Sequence, residues 1–144
     1  MIETPETGLV ARYHFLWWNQ HARGEESGRT ARPACLVVPL GGAGGTVVLF
    51  PLTTQQPEAS RKALAVPATE RRRLRLPGNL QSWVLLDELN QDVWPGSLNF
   101  EPVGRDPLRF SYGSFSPAFM RLVLATMRDA IKERRMRMIP RVSD

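Results

Sequence analysis

Two short apolar runs, PACLVVPL (33–40) and TVVLFPL (46–52), stand on either side of GGAGG (41–45). Runs this short, rich in β-branched residues and bounded by glycine and proline, are buried strands rather than helices. The glycines between them force a turn, so the pair forms a hairpin-like unit. Antiparallel pairing through that turn lays the start of the first strand beside the end of the second. Arg32 and Thr53 then meet at one rim.

The remaining segments fit around that hairpin. LVARYHFLWW (9–18) is aromatic-rich with partial alternation and predicts a first strand. NQHARGEESGRTAR (19–32) is polar, charged and punctuated by glycine, which predicts a long exposed loop. TTQQPEASRKA (53–63) is a second polar loop, ALAVPA (63–68) a short strand, and TERRRLRLPGN (69–79) a helical turn stopped by Pro77-Gly78. SWVLLDEL (82–89) is another strand, and residues 90–115, with several prolines and glycines, read as mostly irregular. Ser116-Pro117 then opens a helix, serine at the N-cap and proline at the first position. Met120, Val123, Leu124, Met127 and Ile131 share one face of it, and Pro140 predicts an end near Met138. Short strands followed by one terminal helix predict a mainly β domain with a C-terminal α-helix, a small barrel capped by that helix.

Length and charge narrow the function classes. A chain of 144 residues with 42% hydrophobic and 23% charged residues predicts one globular domain over 1–144, with a loose lead-in at 1–8 and a basic tail at 139–144. One cysteine excludes an internal disulfide and any zinc site built on paired thiolates. No apolar run reaches bilayer length, and MIETPETGLVARYH lacks the basic start and apolar stretch of a secretory signal. The expectation is a cytoplasmic protein without membrane contact. The net charge is +5, almost all of the positive charge being arginine. The planar guanidinium grips phosphate at two points, which directs attention to RNA, DNA or an acidic protein partner.

An arginine beside a threonine hydroxyl under a polar loop is suited to a phosphodiester. In metal-independent RNA cleavage the 2′-hydroxyl attacks its own phosphate, and a fixed cation stabilises the charge that builds on the phosphorane oxygens. DNA lacks the attacking hydroxyl. The competing reading is an Arg32 that pairs with a surface carboxylate and a Thr53 that merely ends a strand. His14 lies in an apolar strand and reads as packed, whereas His21, in the charged loop, is a candidate base. Cys35 is an apolar filler. GGAGG lacks the lysine of a nucleotide-binding loop and precedes a strand. Trp17 and Trp18 offer a stacking face, of which alternation buries at least one.

Taken in order, GRTARPACLVV, VVLFPLTTQ, SWVLLDEL and YGSFSPAFMRLVLATM resemble the MazF/PemK family of toxins from bacterial toxin–antitoxin systems, over roughly residues 9–135. The resemblance implies an SH3-like β-barrel with a terminal helix, a homodimer, and no metal or other cofactor. It implies an endoribonuclease toxin that cuts single-stranded RNA at short sequences and is blocked by an acidic antitoxin protein. The family's arginine falls on Arg32, its threonine on Thr53, its later acidic residue on Asp87, and its first-loop acidic residue near Glu25 or Glu26. Leu85 stands where some members carry an arginine partner for the aspartate, which favours an Arg32–Thr53 centre with Glu25 or Glu26 as base and Asp87 as second candidate or support. Arg29, Thr54, Gln55 and Arg71 are candidate RNA contacts. The chain departs from the pattern in lacking an acid after Gly8, in VWPG (93–96), and in the extension KERRMRMIPR (132–141). A non-catalytic module that keeps the barrel and binds nucleic acid or an acidic partner is the alternative.

Overall fold

The structure, a computed structural model, describes residues 4–22, 30–40, 45–76, 80–94 and 97–141, His21 by its backbone alone. In chain order the elements are β1 (Leu9–Tyr13), α1 (Trp18–Ala22), β2 (Arg32–Val37), β3 (Thr46–Thr53), β4 (Ala63–Ala65), α2 (Ala68–Leu74), β5 (Trp83–Leu85) and β6 (Glu88–Val93). They continue with β7 (Gly104–Arg105), β8 (Leu108–Arg109), β9 (Ser111–Ser114), α3 (Pro117–Lys132) and β10 (Arg137–Pro140). The hairpin expected between the two apolar runs is present: β2 and β3 pair antiparallel from Ala34↔Pro51 to Val37↔Val48.

β3 organises the sheet. Along one edge it pairs with β2; along the other it pairs first with β6 through Thr46–Leu49 and then with β5 through Leu52 and Thr53. Pro51 lies at the changeover and has no N–H to give to either ladder. The strand path runs β10-β6-β3-β2-β1-β9, with β5 and β4 branching from the far end of β3. β6 gives its outer edge to β10 in a parallel pair, so among the described residues β6 and β9 do not meet and the path stays open. The architecture is mainly β with a C-terminal helix, but not the closed barrel expected from the sequence.

Both faces of the central strands are covered, which explains the continuous apolar runs. On one face Val10, Cys35, Phe50 and Leu52 pack under Phe119, Met120 and Val123 of α3. On the other, Ala11, Tyr13, Leu36 and Leu49 pack with Phe15, Trp94 and Phe100. Cys35 is fully buried, and burial pushes its thiol up to about 12, consistent with the filler role. Trp94 and Phe100 fold residues 90–115 back on the core, and that stretch, read as mostly irregular, supplies most of β6 and all of β7, β8 and β9.

α3 begins as expected. The Ser116 Oγ accepts a hydrogen bond from the Phe119 N–H at 3.2 Å, and Pro117 occupies the first turn. The Ser116 N–H donates in turn to Glu70 of α2 at 2.6 Å. Ser116→Ala is expected to lower stability by about 1 kcal/mol, read as a shifted urea midpoint with unchanged slope. The helix ends at Lys132, earlier than its sequence pattern suggested. Arg134 takes a left-handed φ of 55° that turns the chain, and Ile139 is then buried at 3% exposure on β10. Ile131, expected on the core face, is exposed. Burial of Ile139 and main-chain pairing with β6 take the place of two further helical turns.

Candidate active site

Arg32 opens β2 and Thr53 closes β3. Continuing the β2–β3 register two residues beyond Ala34↔Pro51 sets these two positions opposite each other. Both side chains, with Thr54, lie where two clefts meet, one of about 530 Å³ and one of about 1110 Å³. The rim expected from the hairpin is therefore present, and it opens on space rather than being sealed.

Arg32 is half-buried, with its guanidinium 4.9 Å from the centre of the Trp17 ring. The Nε is buried and has no hydrogen-bond partner, and among the described residues no carboxylate pairs with this side chain. Desolvation by burial pulls its pKa down. The side chain is thus held by stacking, and among the described residues no hydrogen bond or ion pair engages its guanidinium. Trp17 and Trp18 are both half-buried, neither fully, because β1 ends at Tyr13 and strand alternation does not reach them.

The Thr53 oxygen accepts a hydrogen bond from the Gln55 N–H at 3.1 Å. That local turn fixes the oxygen and leaves the hydroxyl proton for an acceptor in the cleft. Thr54 and Gln55 are exposed, and Gln55 lines the larger cleft. Arg71 sits half-buried on α2 with its Nε unpartnered and lines neither of these two clefts. Glu25, Glu26 and Arg29 lie outside the described residues. His21 falls on α1 by its backbone. His14, expected to be packed in an apolar strand, lies just past β1, half-buried and paired with Glu101.

Asp87 is placed on the larger cleft but is fully engaged. The Arg61 Nε donates to its Oδ2 at 2.8 Å and the Arg61 Nη2 to its Oδ1 at 2.7 Å, while the Lys62 N–H donates to Oδ2 at 3.1 Å. Burial raises the Asp87 pKa; the Arg61 and Lys62 hydrogen bonds and the Arg61 charge outweigh it, leaving the carboxyl below its ordinary value. Arg61 also donates to Glu88 at 2.8 Å. The aspartate therefore has an arginine partner after all, supplied by the polar loop and not by position 85. Sequence reasoning missed Arg61. Its only signal was a basic pair, Arg61-Lys62, at the end of a loop otherwise nearly uncharged.

No family model and no curated protein matches the chain. Solved structures do. An endoribonuclease in complex with its cognate antitoxin from mycobacterial species is similar at a TM-score of 0.55 and 20% identity, over 90% of this chain and 96% of that one. A second, an endoribonuclease from mycobacterial species, is similar at a TM-score of 0.53 and 18% identity, over 92% of this chain and 95% of that one. The likeness spans nearly the whole length of each and shows a shared fold.

Proposed function

We propose that the chain is an endoribonuclease toxin of a toxin–antitoxin pair, of the MazF/PemK type. It acts as a homodimer on single-stranded RNA at short sequences, without a metal, and is restrained by an acidic antitoxin. The observation that carries this reading is the Arg32 guanidinium, unpaired among the described residues, beside the oriented Thr53 hydroxyl at the junction of two clefts. The mycobacterial endoribonucleases that share the fold, one of them held by its antitoxin, support it.

The chemistry follows from those two groups. A scissile phosphate set on the rim receives the Arg32 fork on its non-bridging oxygens and the Thr53 O–H on one of them. The 2′-oxygen attacks phosphorus as its proton leaves, the 5′-oxygen departs and takes up a proton, and a cyclic phosphate and a 5′-hydroxyl result. Negative charge grows on the oxygens that Arg32 faces, so the cation binds the transition state more strongly than the substrate. Glu25 or Glu26 serves as base, and Asp87, its oxygens committed to Arg61, supports the cleft wall.

The test is cleavage of single-stranded RNA in excess EDTA by the purified protein. Cutting is expected, with none at a 2′-deoxy nucleotide. Thr53→Val is expected to slow it by about 10–100-fold, the worth of a hydrogen bond to a charged group. A second reading, a non-catalytic module on the same fold, is favoured by the engagement of both Asp87 and Glu88 with Arg61. RNA recovered intact, but bound with an affinity that falls steeply with salt, would establish that reading instead.

A further inference from the structure

The extension beyond α3 has no counterpart in the family pattern, and in the structure it is a built wall of the larger cleft. Lys62 pairs with Glu133 at 2.6 Å at one end of it. At the other end Arg141 donates to the His14 carbonyl at 2.7 Å, to Asn90 at 2.9 Å and to Asn99 at 2.8 Å, and its N–H donates to the Gln91 carbonyl at 2.8 Å. Between these pins β10 pairs with β6 and buries Ile139. A segment held in this way presents its side chains in fixed places.

Those side chains are Arg134, Arg135 and Arg137, which line the cleft that Arg32 and Thr53 also line. Among the described residues none of the three is in an ion pair. Arg137 lies over the Trp18 ring at 5.4 Å, next along the chain from Trp17, which carries Arg32. Three carboxylates share the cleft, and two of them, Asp87 and Glu88, are already held by Arg61. Among the described residues that line the cleft, Glu58 is the carboxylate left against Arg32, Arg134, Arg135 and Arg137.

Resting on the nuclease reading above, we infer that Arg134, Arg135 and Arg137 form a phosphate-binding wall for the RNA strand flanking the scissile bond. The strand runs from the Arg32–Thr53 rim across the larger cleft to the C-terminal extension. A polynucleotide fits this arrangement better than an acidic peptide. The wall continues a phosphate site without a break, and planar guanidinium groups, two of them on tryptophan rings, match two-point phosphate contacts. The wall reads charge and not sequence, so it sets affinity and register while the loops set the cut.

The experiment measures binding of the full chain to a fluorescent 2′-O-methyl single-stranded RNA, which cannot be cut, over a range of salt. Arg135→Glu with Arg137→Glu is expected to weaken binding about tenfold or more and to lower the salt slope by about 1.4, because two phosphates are no longer neutralised. Arg134→Glu, an exposed position independent of the Trp18 stack, is expected to act in the same direction. Arg135→Lys with Arg137→Lys is expected to keep the wild-type slope. A charge-reversed protein that is folded by circular dichroism yet binds with wild-type affinity and slope overturns the inference. So does a variant that keeps RNA binding and loses only binding to polyglutamate, which would assign the wall to an acidic protein. Failure of the wild-type chain to bind the RNA removes the nuclease reading as well. Cleavage by the wild-type chain with RNA binding indifferent to charge reversal removes the wall alone.

Discussion

Arg32→Met is expected to reduce RNA cleavage by about 10²–10³-fold, the loss that follows removal of one donor to a developing oxyanion. Folding stability is expected to stay level or rise. The two directions have one cause. The Arg32 Nε is buried without a partner, and burial lowers the pKa, so the charged form is disfavoured in the folded protein relative to the unfolded chain. That cost is present at every pH below the folded pKa and is relieved only above it, so at neutral pH it is in full force. Methionine keeps an unbranched stem against Trp17 and removes the unsatisfied donor. Arg32→Ala loses the same activity but also the packing on the ring. Parallel urea titrations and single-turnover cleavage check this. Retained cleavage by folded Arg32→Met displaces the centre from the rim, and a large stability loss means that the guanidinium is structural.

The hairpin and the N-cap of α3 were legible because each rests on local chemistry. GGAGG between two apolar runs permits little besides a reversal, and serine before proline at a helix start satisfies an N–H while costing none. The Arg32–Thr53 rim followed from the register that the hairpin imposes, so it too was legible. What was not legible depends on residues far apart in the chain. SWVLLDEL reads as one apolar run, yet it is two strands parted at Leu86-Asp87, because Asp87 is drawn to Arg61 and Lys62 across the cleft. The end of α3 at Lys132 depends on β6 having an edge to fill, which no local pattern around Arg134 records. β10 was hidden for the same reason: RMIP is too short and too basic to read as a strand, and parallel pairing with residues 88–91 creates it.

Arg61→Ala is expected to lower folding stability by about 3–5 kcal/mol at neutral pH, the cost of removing one partner from a buried ion pair. At this chain length that is a fall of ~10 °C or more in Tm. The Asp87 and Glu88 carboxylates are only 8% and 9% exposed, and without Arg61 they become neighbouring buried charges that lack their cation. The sign of the pH dependence follows. The folded Asp87 pKa is held below the ordinary 3.8, so the wild-type contribution is complete above that value and is lost as pH falls through the folded pKa. In the variant Asp87 loses the Arg61 hydrogen bonds and charge that hold its pKa down, so it accepts a proton at higher pH. The stability gap is therefore widest at neutral pH and narrows on acidification, as urea titrations at several pH values would reveal. Arg61→Lys restores the charge but not the fork and is expected to recover only part of the gap. The same variants decide what Asp87 is for. A loss of stability that carries activity down with it, and activity that returns with Arg61→Lys in proportion to stability, mark the pair as the brace that fixes residues 54–62 along the cleft. Wild-type stability with cleavage abolished would instead make Asp87 and Arg61 a reacting dyad, and would move the chemistry from the hairpin rim to the floor of the larger cleft.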